Sequence, residues 1–172
     1  MLQWLCQAIQ ETPKSYGDFF IFCTLTGLRA SECIACIELI KDPDSFKTYY
    51  NENRQCLEHF RFPNLFIRRT KAAYISFVDK DILEIAQNCS KIPTYYGLKK
   101  ALRHSSRWIC NSNTVGRYSQ RTLDSQALNQ FVDLLQGRVP KTVFARHYFT
   151  PSLNYRDRVI RELEKLKNQI EV

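Results

Sequence analysis

The chemistry this sequence could perform centres on Tyr148. It closes the stretch QGRVPKTVFARHY, residues 136–148, where Arg138 sits on a glycine turn and His147 directly precedes the phenol. A tyrosine side chain can act as a covalent nucleophile. With a reference pKa of about 10 it is a weak one at neutral pH, so it needs cationic neighbours and a phosphate held for in-line attack. Guanidinium groups meet both needs: their forked donors fit phosphate oxygens and stabilise the charge that develops on five-coordinate phosphorus. Arg29, Arg117 and Arg138 are the candidates. Taken alone, Tyr148 reads equally as a residue on the rim of an amphipathic element.

Two further stretches carry possible chemistry. In TGLRASE, residues 26–32, a glycine closes one helix and Arg29 stands at the entry of the next. A helix N-terminus carries partial positive charge and free N–H groups, so Arg29 there can present its donors to a phosphate, with Glu32 one turn on to hold it. An ordinary surface Arg–Glu pair has the same spacing. In RRTK, residues 68–71, Lys71 falls at the tip of a predicted hairpin, where a flexible point charge can reach a DNA groove. A solvated turn lysine is the plain alternative.

The composition favours a polyanionic partner. Twenty-five Lys and Arg against 17 Asp and Glu give a net charge of +8, and aromatic residues make up 13% of the 172. A basic, aromatic-rich domain points first to nucleic acid. Hydrophobic residues at 44% suffice for a packed core. No apolar run approaches the roughly 20 residues of a membrane span, and the start, MLQWLCQAIQETPK, lacks the basic region of a signal peptide. A cytoplasmic protein with reduced thiols and no membrane partner is therefore expected. The seven cysteines are odd in number and scattered. Cys33 and Cys36 form a CxxC with no second ligand pair, so two small apolar residues one turn apart are expected rather than a zinc site.

The elements that must position these residues are mostly helical. Leu2, Leu5, Cys6 and Ile9 mark an amphipathic helix that ends near Thr12-Pro13. A second helix is predicted over 16–25, broken by Gly27, and a third from about 30 to 40 with Cys33, Ile34, Ile37 and Ile40 inward. KDPDSFKTYYNENRQ reads as loop. NLFIRR and AAYISFV read as the two strands of a hairpin around Thr70-Lys71. DKDILEIAQN reads as a helix capped by Asp79 or Asp81. YGLKKALRHSSRWI reads as a basic helix, and RYSQRTLD and QALNQFVDLLQ as two more. Val159, Leu163, Leu166 and Ile170 give a final amphipathic helix. The expectation is one mainly α domain spanning residues 1–172 with a small antiparallel β-sheet or hairpin.

The three stretches, in this order, resemble one family. TGLRASE, then a hairpin lysine, then QGR-x-P-x-x-V-x-x-x-H-Y is similar to the archaeal virus and plasmid branch of the tyrosine recombinases, which includes the integrases of spindle-shaped archaeal viruses. The resemblance implies that Tyr148 is the nucleophile and that Arg29 is the first catalytic arginine. It implies that Arg138 replaces a histidine common elsewhere in the superfamily, and that Lys71 protonates the leaving 5′ oxygen. For the second catalytic arginine, Arg117 fits best by its distance from the basic helix, and it leaves Thr114 where relatives carry His or Lys. His104-Ser-Ser-Arg107 matches the box literally at a longer distance from Gly137, and Arg121 is a third candidate.

The reaction so implied is metal-free and cofactor-free cleavage and rejoining of double-stranded DNA through a 3′-phosphotyrosine, serving integration of a viral or plasmid genome in the host cell. Arg68, Arg69, Lys99, Lys100 and Lys141 are the expected DNA contacts, and a homo-oligomer on DNA is the expected assembly. Relatives carry an N-terminal DNA-binding domain, which is not expected within residues 1–172, and their C-terminal helix, here expected at residues 155–170, docks in cis or in trans. A type IB topoisomerase-like relaxing enzyme and a catalytically impaired DNA-binding module are the competing expectations.

Overall fold

The computed structural model describes residues 2–67, 72–101 and 153–170. Each of the first three helices has a local cause for its boundaries. Helix α1 (Leu2–Glu11) buries Leu5 and Ala8 and stops ahead of Pro13. Helix α2 (Lys14–Thr26) buries Phe19, Phe20, Phe22, Cys23 and Leu25 to 2% exposure or less, so it is apolar around its circumference and forms the centre of the core. Gly27 ends it at φ 70°, a left-handed conformation that costs glycine no Cβ clash, and its N–H donates to the Cys23 carbonyl at 3.0 Å. Helix α3 (Ala30–Lys41) buries Cys33, Cys36, Ile37 and Ile40 against it, while Ile34 is half-buried.

Helix α4 (Pro43–Tyr49) leads into a three-stranded antiparallel sheet of order β1-β2-β3. Its strands are β1 (Tyr50–Asn51), β2 (Cys56–Glu58) and β3 (Ile75–Phe77). Tyr50 pairs with Leu57, and Leu57 with Ser76, which fixes the register. Between β2 and β3 lie a 3-10 turn (His59–Arg61) and the short helix α5 (Pro63–Phe66). The molecule is thus mainly helical with a small antiparallel sheet, as the sequence led one to expect.

Two local expectations are corrected. The stretch read as loop contains α4. Asp42 caps it by accepting the Ser45 N–H at 3.1 Å, Pro43 occupies the first turn, and Tyr49 is fully buried. Its polar surface hid the helix. The first predicted hairpin strand is corrected over its first half: Pro63 starts a helical turn that buries Phe66, and among the described residues of that strand only Ile67 pairs, across to Ala72. The strand partner of Ile75–Phe77 is instead Cys56–Glu58, which is buried at every position and so shows no alternation.

Helix α6 (Lys80–Asn88) is capped by Asp79, whose Oδ1 accepts the Ile82 N–H at 2.9 Å. Helix α7 (Tyr95–Ala101) is the described part of the predicted basic helix. The predicted helices at RYSQRTLD and QALNQFVDLLQ lie outside the described residues. Helix α8 (Leu153–Ile170) buries Leu163, Leu166 and Ile170 against α1, α2 and β3 of the same chain, with Val159 half-buried. Lys167 fastens it, placing Nζ 2.7 Å from Asp79 Oδ2 and 2.8 Å from Asp81 Oδ2. No single described helix is long and apolar enough to cross a membrane. Helices α2 and α3 pass that test only as a pair bent by 102°.

Candidate active site

Arg29 is the residue before the first turn of α3, with extended backbone (φ −74°, ψ 156°). Its N–H donates to Glu32 Oε2 at 2.9 Å, and its carbonyl accepts the Cys33 N–H at 2.8 Å. The second carboxylate oxygen, Glu32 Oε1, lies 4.0 Å from Arg29 Nη1 and makes no hydrogen bond among the described residues. Glu32 is 1% exposed, whereas the Arg29 side chain is 38% exposed. A buried carboxylate is tolerated only when its charge is matched. Here the helix N-terminus and the guanidinium match it together. The guanidinium lies beside the carboxylate without a hydrogen bond to it, and its side chain stays partly exposed.

Behind this turn lies a buried polar chain that the sequence analysis did not single out. Tyr49 Oη is 2.6 Å from His59 Nδ1, and His59 Nε2 is 2.8 Å from Ser76 Oγ. The Ser76 hydroxyl donates to the Thr26 carbonyl at 3.2 Å. Tyr49 Oη also lies 3.2 Å from Cys36 Sγ. Tyr49 and His59 are 0% exposed and Ser76 is 4% exposed. Phe66 packs on the imidazole with ring centroids 4.5 Å apart, and Phe62 meets Tyr49 edge-on at 5.5 Å. Burial pulls the His59 imidazole down to about 3 from its ordinary 6.5, so it is neutral. Burial likewise pushes the Cys33 and Cys36 thiols well above their usual range, as befits core residues.

The described residues bring two of the predicted site residues together, Arg29 and Glu32. Lys100 is exposed on α7, and Lys99 belongs to the same helix. Ile67 and Ala72 form an antiparallel bridge on either side of Arg68, Arg69 and Lys71, which lie outside the described residues. So do Arg107, Thr114, Arg117, Arg121, Arg138, Lys141, His147 and Tyr148. Among the described residues no group of three His, Cys, Asp or Glu side chains could hold a metal ion.

Comparison with known proteins adds no relative: no family model, no curated protein and no solved structure matches the chain. The functional reading therefore rests on the residues themselves.

Proposed function

We propose that this protein is a tyrosine-type site-specific DNA recombinase that cuts and rejoins double-stranded DNA to integrate a viral or plasmid genome. The observation that carries this reading is Arg29: a partly exposed guanidinium at a helix entrance, beside a buried carboxylate that accepts the Arg29 backbone N–H. It is the first member of an ordered series that continues with Lys71, Arg138 and Tyr148. The Tyr148 oxygen attacks a DNA phosphodiester, a 3′-phosphotyrosyl bond forms, and the bond to the 5′ oxygen breaks. Lys71 gives that oxygen its proton. Arg29, Arg138 and a third arginine (Arg117, or else Arg107 or Arg121) hold the phosphate and stabilise its developing charge. Thr114 occupies the place of the base in relatives, and His147 is the nearest imidazole in sequence to take the phenolic proton. A 5′-hydroxyl from a second duplex reverses the step, so the phosphodiester energy is conserved and no cofactor is consumed. Arg68, Arg69, Lys99, Lys100 and Lys141 contact the backbone of the DNA, on which copies of the protein assemble.

A duplex nicked beside the scissile phosphate tests this, because loss of the short leaving strand traps the covalent adduct. The wild-type protein is expected to give a protein–DNA band resistant to denaturation, and Tyr148→Phe none. Arg29→Ala is expected to lower the cleavage rate by roughly 10²–10³-fold while DNA affinity changes little. A covalent band persisting in Tyr148→Phe removes that residue from the role, and its absence from the wild type removes the proposal.

A further inference from the structure

We infer that the buried chain Tyr49–His59–Ser76 is a positioning device for Arg29, acting through the Thr26 carbonyl. A helix end leaves its last carbonyls without helical partners. At the end of α2 the Cys23 carbonyl is satisfied locally, by the Gly27 N–H at 3.0 Å. The Thr26 carbonyl is taken by Ser76, fifty residues away on β3. The turn from Thr26 to Arg29 is thus gripped at both ends, by Ser76 on one side and by Glu32 on the other.

Proton counting gives the chain a direction. A carbonyl can only accept, so the single Ser76 hydroxyl proton points at Thr26. Ser76 Oγ must then accept from His59 Nε2–H, which makes His59 Nδ1 an acceptor for the Tyr49 hydroxyl at 2.6 Å, the shorter of that phenol's two contacts. Ser76 and the imidazole each give one proton and receive one, Tyr49 gives its own to His59, and such a connected network fixes one geometry. It joins α4, the 3-10 turn and β3 to the turn that carries Arg29. Tyr49, His59 and Ser76 are positioning residues: none reaches substrate, and their effect passes through Thr26.

The kinetic part of this inference rests on the recombinase reading; the structural part does not, and the test separates them. In ¹⁵N-labelled protein, His59 should show the Nε2–H tautomer. Ser76→Ala should move the Gly27 amide and Arg29 side-chain signals, and Ser76→Thr, which restores the hydroxyl, should return them. On the nicked duplex, Ser76→Ala should cut the single-turnover rate by up to about tenfold, as expected for one hydrogen bond, with DNA affinity unchanged and the rate restored by Ser76→Thr. If Ser76→Ala does not fold, Tyr49→Phe serves, since it leaves Nδ1 without its donor. Unmoved Gly27 and Arg29 signals in a folded variant, or an Nδ1–H tautomer, overturn the inference. A wild-type protein that never cleaves overturns the recombinase reading alone, while the spectra still decide the coupling.

Discussion

Arg29 and Glu32 divide their labour in a way the helix end dictates. The backbone N–H of Arg29 is committed to Oε2, and Oε1 lies 4.0 Å from Nη1, so one buried carboxylate both caps the helix and stands beside the guanidinium. His59 solves the opposite problem: with no anion among its hydrogen-bond partners Tyr49 and Ser76, it stays neutral, held down to about 3 by burial. That has a consequence for stability. The unfolded chain takes up a proton on this imidazole as pH falls through about 6.5, whereas the folded protein takes it up only near 3, so acid favours unfolding over that interval. The stability His59 contributes is complete above pH 6.5 and declines by about 1.4 kcal/mol per pH unit below it. Urea melts between pH 7 and about 4.5 should show this slope, and His59→Gln should flatten it; the other two histidines are common to both proteins and cancel. Equal slopes in the two proteins would mean that His59 is protonated in the fold.

At the scale of elements, the aspartates at the start of α6 do unequal work. Asp79 Oδ1 caps the helix, and its Oδ2 meets Lys167 of α8 where both side chains are largely buried. Asp81 meets the same ammonium with a side chain 73% exposed. Burial opposes the Lys167 charge, but hydrogen bonds and attraction from both aspartates outweigh it and hold its pKa above the usual value. Asp79→Ala should therefore cost about 1–3 kcal/mol, combining a lost cap with a stranded charge. Asp81→Ala should cost less than about 0.5 kcal/mol, as exposed pairs do. Denaturant midpoints check this, and equal costs would show that the cap and the burial are irrelevant to how α8 is held. The cap at Asp79, the stop at Gly27 and the apolar stripe of α8 were legible because each is a signal within one or two helical turns. Helix α4 was not, since its burial rests on Tyr49, and β2 was not, since three buried residues have no period. The same contrast runs through the site. Glu32 and Arg29 lie three residues apart, within reach of a sequence pattern. Tyr49, His59 and Ser76 are separated by 10 and 17 residues, and they meet only because the fold of α4, β2 and β3 brings them together.

For the molecule as a whole, the excess of 25 basic over 17 acidic residues has a direct thermodynamic reading if its partner is DNA. Each phosphate neutralised releases condensed counterions, so affinity falls as a power of salt concentration that counts the contacts. A protein that engages roughly 6–10 phosphates loses about 10³–10⁵ in affinity between 50 and 200 mM salt. Lys100 offers a probe of the same effect at one position, because it is exposed on α7 and belongs to no ion pair found among the described residues. Lys100→Ala should weaken binding to all duplex sequences alike and reduce the salt slope by about one contact. Tyr148→Phe should leave the slope untouched, because the substitution removes no cation. Fluorescence anisotropy of a labelled duplex across a salt series measures all three proteins. An affinity that changes less than tenfold over that range would mean that the positive charge is spread for solubility rather than gathered on a phosphate track. The proposed cleavage by Tyr148 would then have no bound DNA to act on.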